Sequence, residues 1–261
     1  GDLMQLAGFD ALKDTLAGAN NKLVPIKNVG GPYMFDLTEG SHTKLTAITL
    51  DAKVRLADGW AFQTKNRYRT SDIQRNALFP TGNVQTIATY QSDLLKQAVA
   101  GGFTGATGIR LQYADDGSAV PANANGNGLL VQGNLLAVSV PLDEIISDNR
   151  ITADIGNHAL ALGATFSHYQ WRFDRYMGTT LLDVQGDARR VDALAVDAAG
   201  NVVGRVTDNG FLRYGSLYDN VGMNAENIAF YAGDEWQITP QLRLDFAARY
   251  EKIWIRGTVA N

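Results

Sequence analysis

Three histidines, His42, His158 and His168, are the chain's candidates for acid–base work near neutral pH or for holding a transition metal. None has a second histidine within a helical turn, and neither an HExxH string nor a GxSxG nucleophile elbow occurs. His158 follows Gly156-Asn157 and reads as a solvated turn residue, while His168 falls on an apolar parity near a strand end and reads as interfacial. Gly102, Gly105 and Gly108 have a GxxGxxG spacing, but the run lacks the Lys-Ser/Thr ending of a phosphate loop and follows a helical pattern instead of a strand. Asp115-Asp116-Gly117 offers carboxylates without the spaced ligands and closing Glu of a calcium loop. Cysteine is absent, so disulfides and thiolate metal sites are excluded. No catalytic residue, metal ligand or cofactor is assigned, and the expectation is that the chain is not an enzyme.

What remains is charge placed at every second position. Asp51, Lys53, Arg55, Lys65, Arg67, Arg69, Arg243, Asp245 and Arg249 each alternate with apolar or small neighbours, which puts the charges on one face of extended segments. Two readings stand: a hydrated wall whose charges pair across neighbouring strands, or electrostatic guidance of an anionic solute. The run Trp171, Arg172, Phe173, Arg175, Tyr176 likewise reads as an aromatic belt or as ligand contact. Arg67, Arg69, Trp171, Arg172, Phe173 and Tyr176 are the ligand-binding candidates.

The elements that must position these residues are strand–turn–strand units, seen three times. Ile48, Leu50, Ala52, Val54 and Leu56 share one face; Asp58-Gly59 turns the chain; Trp60, Phe62, Thr64, Asn66 and Tyr68 return. In the second unit Ile145, Ile151, Ala153 and Ile155 lead to Gly156-Asn157, and Leu160, Leu162, Ala164 and Phe166 follow. Their partners Ala161, Gly163, Thr165 and Ser167 are small, leaving room for something packed against them. The third unit sets Ile228, Phe230, Ala232, Trp236 and Ile238, with Asp234 a polar intruder, before Thr239-Pro240-Gln241, and Leu242, Leu244, Phe246, Ala248 and Tyr250 after it. Between the units lie long connections, roughly 71–142 and 174–221. Thr86–Ala100 has helical spacing at Ile87, Tyr90, Leu94, Leu95 and Ala98, with Gly101-Gly102 as a stop. Asn123–Gly128 reads as flexible, and Val191–Val206 as a small hairpin turning at Ala198–Asn201.

Short turns alternating with long loops, in strands of alternating hydropathy, are the signature of an antiparallel transmembrane β-barrel segment, all-β, built of long meander hairpins with long extracellular loops. No run of 18 apolar residues exists, so a membrane-spanning helix is excluded, whereas membrane strands need only about 9 to 11 residues. Mean hydropathy of -0.14 accords with such alternation. A net charge of -4 without a Lys/Arg-rich run argues against nucleic acid as a partner. Gly1–Leu6 shows no signal peptide, which fits either its removal or an internal fragment.

Several segments resemble TonB-dependent outer-membrane receptors, in the middle of their barrel. The most telling is IAFYAGDEWQITPQLRLDFAARYE, Ile228 to Glu251. LADGWAFQTKNRYRTSDIQRNALFP (Leu56 to Pro80) and NRITADIGNHALALGATFSHYQW (Asn149 to Trp171) are similar to other barrel hairpins of such receptors. The resemblance implies uptake of a scarce solute (a siderophore, vitamin or oligosaccharide) across a Gram-negative outer membrane. Outer-membrane lipid would surround the wall, and TonB would supply energy through a plug domain. A plug, a TonB box and an aromatic-terminated last strand are not in this sequence, which ends Thr-Val-Ala-Asn. About six membrane strands are visible against roughly 22 in such transporters. The expectation is therefore one partial barrel domain over residues 1–261, an internal fragment lacking the plug and C-terminal strands, that catalyses nothing. A passive porin-like barrel and a soluble all-β binding module remain as alternatives. In the membrane reading Ile48, Leu50, Val54, Leu160, Leu162, Leu244 and Phe246 face lipid.

Overall fold

The computed structural model describes residues 6–28 and 31–260, so most of the N-terminal signal-peptide reading and the final Asn261 lie outside the described residues. In chain order the elements are a small hairpin β1 (Leu23–Asn28) and β2 (Gly31–Asp36), strands β3 (Ser41–Ala57) and β4 (Trp60–Thr86), helix α1 (Ile87–Ala100) and strand β5 (Gly108–Tyr113). Then come β6 (Leu129–Ile155), β7 (His158–Asp183), the short strands β8 (Val191–Val196), β9 (Val202–Arg205) and β10 (Thr207–Asp208), and finally β11 (Phe211–Thr239) and β12 (Leu242–Ala260). Six long strands pair antiparallel in the order β3-β4-β6-β7-β11-β12, with β10 on the start of β11. Sequence neighbours are spatial neighbours throughout, the meander expected of a barrel wall. Among the described residues β3 and β12 each pair on one side only.

The three tight turns fall where the sequence places them. Gly59 has φ +75, and a Cβ there would lie 2.6 Å from the Asp154 carbonyl oxygen, so both conformation and space demand glycine. The parity expected in the membrane stretches also holds. Trp60 pairs with Ala153, Ala153 with Leu160, Leu160 with Asp234 and Asp234 with Phe246, so the apolar positions of successive strands share one face. Ile48 is 67% exposed, Leu162 64% and Phe246 57%, as are many others on that face to a similar degree. So wide an apolar surface is untenable in water and natural against lipid tails. Four of its polar members form a chain: Thr64 Oγ1 donates to Asn149 Oδ1 at 2.8 Å, Asn66 Nδ2 to Thr64 Oγ1 at 2.9 Å and Asn149 Nδ2 to Ser147 Oγ at 2.9 Å. A surface without water requires such pairing.

The long connections are shorter than the sequence implies. β4 and β6 run 27 residues each, β7 26 and β11 29. At ~3.3 Å per residue such strands reach roughly 85–95 Å, several times the apolar band of ~25 Å, so they continue far beyond the membrane. Alternation ceases there because both faces leave lipid, and that hid the strand ends in the sequence. The true connections are 87–128 and 184–210.

Beyond the band the two faces exchange character. On the charged face, the row Arg69–Glu144–Tyr169 gives way to Leu142, Trp171 and Met223, then to Ile73, Val140, Phe173 and Val221. On the opposite face, Ile145 and Phe166 give way to Asp143, Gln170, Arg172 and Asn224.

The two connections fold together instead of standing as separate loops. β5 from the first pairs with β8 from the second, and β9 extends that three-stranded sheet. Helix α1 begins at Thr86, whose side chain accepts from the Thr89 amide at 3.2 Å, and buries Ile87, Tyr90, Leu94 and Ala98, the spacing read from the sequence. Those side chains meet Ile109, Leu111, Val191 and Ala193 of the small sheet and Leu130 and Leu181 of the long strands. Leu130 has the parity of Glu144 and Leu181 that of Trp171, so this cap sits on the charged face at its distal end. Val131 and Leu182, of opposite parity, pack on Leu6, Phe9 and Leu16, while the β1–β2 hairpin lies on Leu135, Ala137 and Tyr176. The distal strand ends are thus buried on both faces. Asn123–Gly128, read as flexible, is a compact turn: Ala124 is buried, and Asn127 Nδ2 donates to the carbonyls of Ala7 and Val184. Its Asn/Gly content serves the positive φ of Asn125, Gly126 and Gly128. The Val191–Val206 hairpin stands as expected, with Asp197 closing its turn.

Candidate functional site

Arg67 and Arg69 project from one face of β4, two positions apart, with Glu144 of β6 between their ends. Arg67 Nη2 lies 2.8 Å from Glu144 Oε1 and Arg69 Nη2 2.9 Å from Oε2. Glu144 is 5% exposed, whereas its partners are 43% and 32% exposed at the side chain. One carboxylate shared by two guanidiniums leaves a surplus positive charge, and both Nε–H donors are buried without an acceptor. Glu144 escapes a strand reading that begins at Ile145; carrying the parity of Arg150 and Asp148 four residues further back from Asp148 reaches it.

Below this clamp the polar side chains of the wall pair both between strands and along them. Asp148 accepts from Thr165 Oγ1 and Tyr231 Oη, each at 3.1 Å, and Arg150 Nη2 donates to Gln63 Oε1 at 2.6 Å. Arg243 meets Glu235 at 3.0 Å and Asp245 at 2.7 Å, and Arg249 meets Glu251 at 3.3 Å. The space left by the small residues of β7 is filled from the neighbouring strand: a Cβ on Gly163 would lie 2.1 Å from the Tyr231 ring.

Of the six ligand-binding candidates, Trp171 and Phe173 share the face of Arg67 and Arg69, two strands away and one or two pair-rows beyond the clamp. Arg172 and Tyr176 point the other way, since successive side chains of β7 alternate. Arg172 Nε donates to Asp174 at 2.6 Å. Tyr176 is packed, its ring 4.4 Å from that of Tyr33 in β2 and 5.0 Å from Tyr218, so it anchors the β1–β2 hairpin. A run contiguous in sequence is therefore split between two faces.

Two histidines also depart from their sequence readings. His158 is not merely a solvated turn residue: its Nδ1 lies 2.7 Å from Asp234 Oδ2 and its ring stacks on Trp236, so Asp234, the polar intruder, is 8% exposed and partnered. His168 lies mid-strand, 3.7 Å from Glu226, because β7 runs on to Asp183.

Over the distal end of the charged face the cap is held by a polar knot. Asp183, fully buried, accepts from Asn125 Nδ2 (3.0 Å), Gln185 Nε2 (2.9 Å) and the Arg189 amide (2.7 Å). Burial, and then the Asp183 charge, push the Tyr113 hydroxyl up to about 12. The Arg189 guanidinium covers the Tyr113 ring at 3.6 Å and binds Asp115 at 2.6 Å and Asp116 at 2.9 Å. The Ser118 hydroxyl and amide, followed by Arg189, hold Asp116 down at about 2. The paired carboxylates are thus a cap fastener.

The arrangement is a membrane wall with a cationic clamp and the side chains of Trp171 and Phe173 on one face, and an ordered cap beyond them. Residues 65–256 match the family model described as outer membrane beta barrel domain. A search of curated proteins finds no match to the chain.

Proposed function

The chain belongs to the outer membrane β-barrel domain family, and from that premise we propose that it builds wall and extracellular cap of an uptake receptor for a scarce solute. A siderophore, vitamin or oligosaccharide is the class of cargo, and TonB, acting through a plug domain elsewhere in the receptor, supplies the energy. As an outer-membrane barrel the chain meets membrane lipid on its apolar face. In this reading residues 1–261 are part of one receptor barrel domain and catalyse nothing.

The observation that supports a receptor over a passive pore is the cap. Both long connections join in one core on the charged face of the strands, and in a closed barrel that core would narrow the mouth and set a shaped surface where a solute arrives. Arg67, Arg69, Trp171 and Phe173 are the residues proposed to meet it, the surplus charge of the clamp favouring an anionic group. Arg172 and Tyr176 face away from that route.

Two measurements test the reading. The full-length protein in planar bilayers should show no steady ohmic conductance; a stable open channel would assign it to the porins. Cells deleted for the protein should grow more poorly than the parent under limitation of iron, a vitamin or an oligosaccharide, and a protonophore should abolish the difference. A growth advantage that survives the protonophore rules out energised uptake.

A further inference from the structure

The face that meets lipid carries a recess immediately beyond the apolar band. Phe166 and Ile228 close the band, the row Ile145–His168–Glu226–Trp254 follows, and the next outward residues are Asp143, Gln170, Asn224 and Arg256, which pair across four strands. Here a cavity of ≈ 500 Å³ opens between Arg172 and Arg256. A second, of ≈ 310 Å³, adjoins it, sharing Asn224 and Arg256 and adding Trp254.

Two residues unsuited to a central strand make the hollow. Gly222 of β11, between Arg172 and Thr258, leaves the floor without a side chain. Pro141 of β6 has no N–H to give, and the β6–β7 ladder lapses for two pairs there, between Ser139–Asp174 and Leu142–Trp171, while keeping its register. The polar groups are set for an acceptor from outside. Asp174 holds Arg172 by its Nε, which leaves both terminal amino groups to donate elsewhere. Arg256 forms no ion pair among the described residues. Lys252 lies over the Trp254 ring at 4.9 Å on the rim. Asp143, Gln170 and Asn224 line the remaining walls, with Glu226 in the adjoining hollow.

We propose that this recess binds the phosphorylated sugar headgroup of a membrane glycolipid, its phosphate between Arg172 and Arg256. Planar guanidiniums match phosphate oxygens in pairs, whereas carboxylate and amide side chains match sugar hydroxyls, and an indole face suits a sugar ring. The height on the wall chooses a lipid over a free phosphate. A headgroup whose acyl chains lie along Phe166 and Phe230 arrives at this row already held in the plane of the membrane.

The test uses the full-length protein in phosphatidylcholine nanodiscs doped with bis-phosphorylated lipid A, or with the same glycolipid stripped of its phosphates. Native mass spectrometry counts the copies retained after extraction. The intact protein should retain the phosphorylated form preferentially, and the double variant Arg172→Gln/Arg256→Gln should lose about tenfold or more in apparent affinity. Lys53→Gln, on the opposite face, should change nothing. Equal retention of both glycolipids, or an unaltered double variant, overturns the proposal. So does inorganic phosphate at millimolar concentration binding in place of an unenriched glycolipid, since that makes the recess a free-anion site. Heat-modifiable migration certifies folding. Should the Gln pair fail to fold, Arg172→Lys/Arg256→Lys carries the test, since it keeps the charge but loses the paired donors and should still weaken retention.

Discussion

Replacing Leu94 by Ala should loosen the cap without loosening the wall. Leu94 is 1% exposed in α1, within the core that joins the helix to the small sheet and to Leu130 and Leu181. Truncation removes three buried carbons and leaves a hole that helix and strands close only in part, a loss of about 2–5 kcal/mol. Each 1.4 kcal/mol is a factor of ten, so amides that exchange through cap opening should speed up roughly thirtyfold to several-thousandfold. Hydrogen exchange of the full-length protein, read by mass spectrometry, should place that change in peptides covering 87–100, 108–113 and 191–196. Peptides within 48–68, 145–166 and 228–250 should be unmoved, because their ladders pair strand to strand without touching the cap. Val99→Ala on the exposed side of the helix should be nearly silent. Equal acceleration of cap and wall would show one cooperative unit and refute the reasoning, as would an unchanged cap.

Three further outcomes are expected. Spin labels at Ile48, Leu50, Val54, Leu160, Leu162, Leu244 and Phe246 should report lipid, and labels at Asp51, Arg67 and Arg243 water; the reverse pattern would mean the register is displaced by one residue. Gly163→Ala should drive the Tyr231 ring off Asp148 and destabilise the wall by about 1–3 kcal/mol. Most of that loss should vanish in the background Tyr231→Ala, and persistence there would contradict the steric account. The Tyr113 hydroxyl is raised to about 12 in the folded cap against 10.0 unperturbed, so the unfolded cap ionises first. Cap stability is therefore complete below pH 10 and falls as pH rises toward 12, read as protease sensitivity of the cap. Tyrosinate absorbance from Tyr113 near pH 10 with the cap intact would exclude the buried assignment.

The band that meets lipid was legible in the sequence because lipid imposes a rule on a strand: outward residues are predominantly apolar and inward ones polar, charged or small, over about nine to eleven positions. Ile48 to Leu56, Leu160 to Phe166 and Leu242 to Tyr250 obey it, and Gly59, Gly156 and Pro240 mark where the chain reverses, since turn conformations demand those residue types. Helix α1 was legible for the same kind of reason, a one-sided stripe closed by Thr86 and Gly101.

Beyond the band the rule lapses, and with it the reading. Once water replaces lipid, outward polar and inward apolar positions become allowed, so Arg69 to Thr86 and Leu129 to Glu144 lost the alternation that would have declared them strands. Pairing between distant segments leaves no local trace either. That β5 would join β8, that Glu144 would be held by Arg67 and Arg69, and that Tyr231 would fill the space over Gly163 are decisions of register between strands, taken only when the sheet assembles. The sequence by itself determined which stretches live in lipid and where they turn, because those are constraints on single segments. Which side chains share a site was decided by the tertiary structure, as the division of Trp171 and Phe173 from Arg172 and Tyr176 shows, because adjacency along a strand sends neighbours to opposite faces.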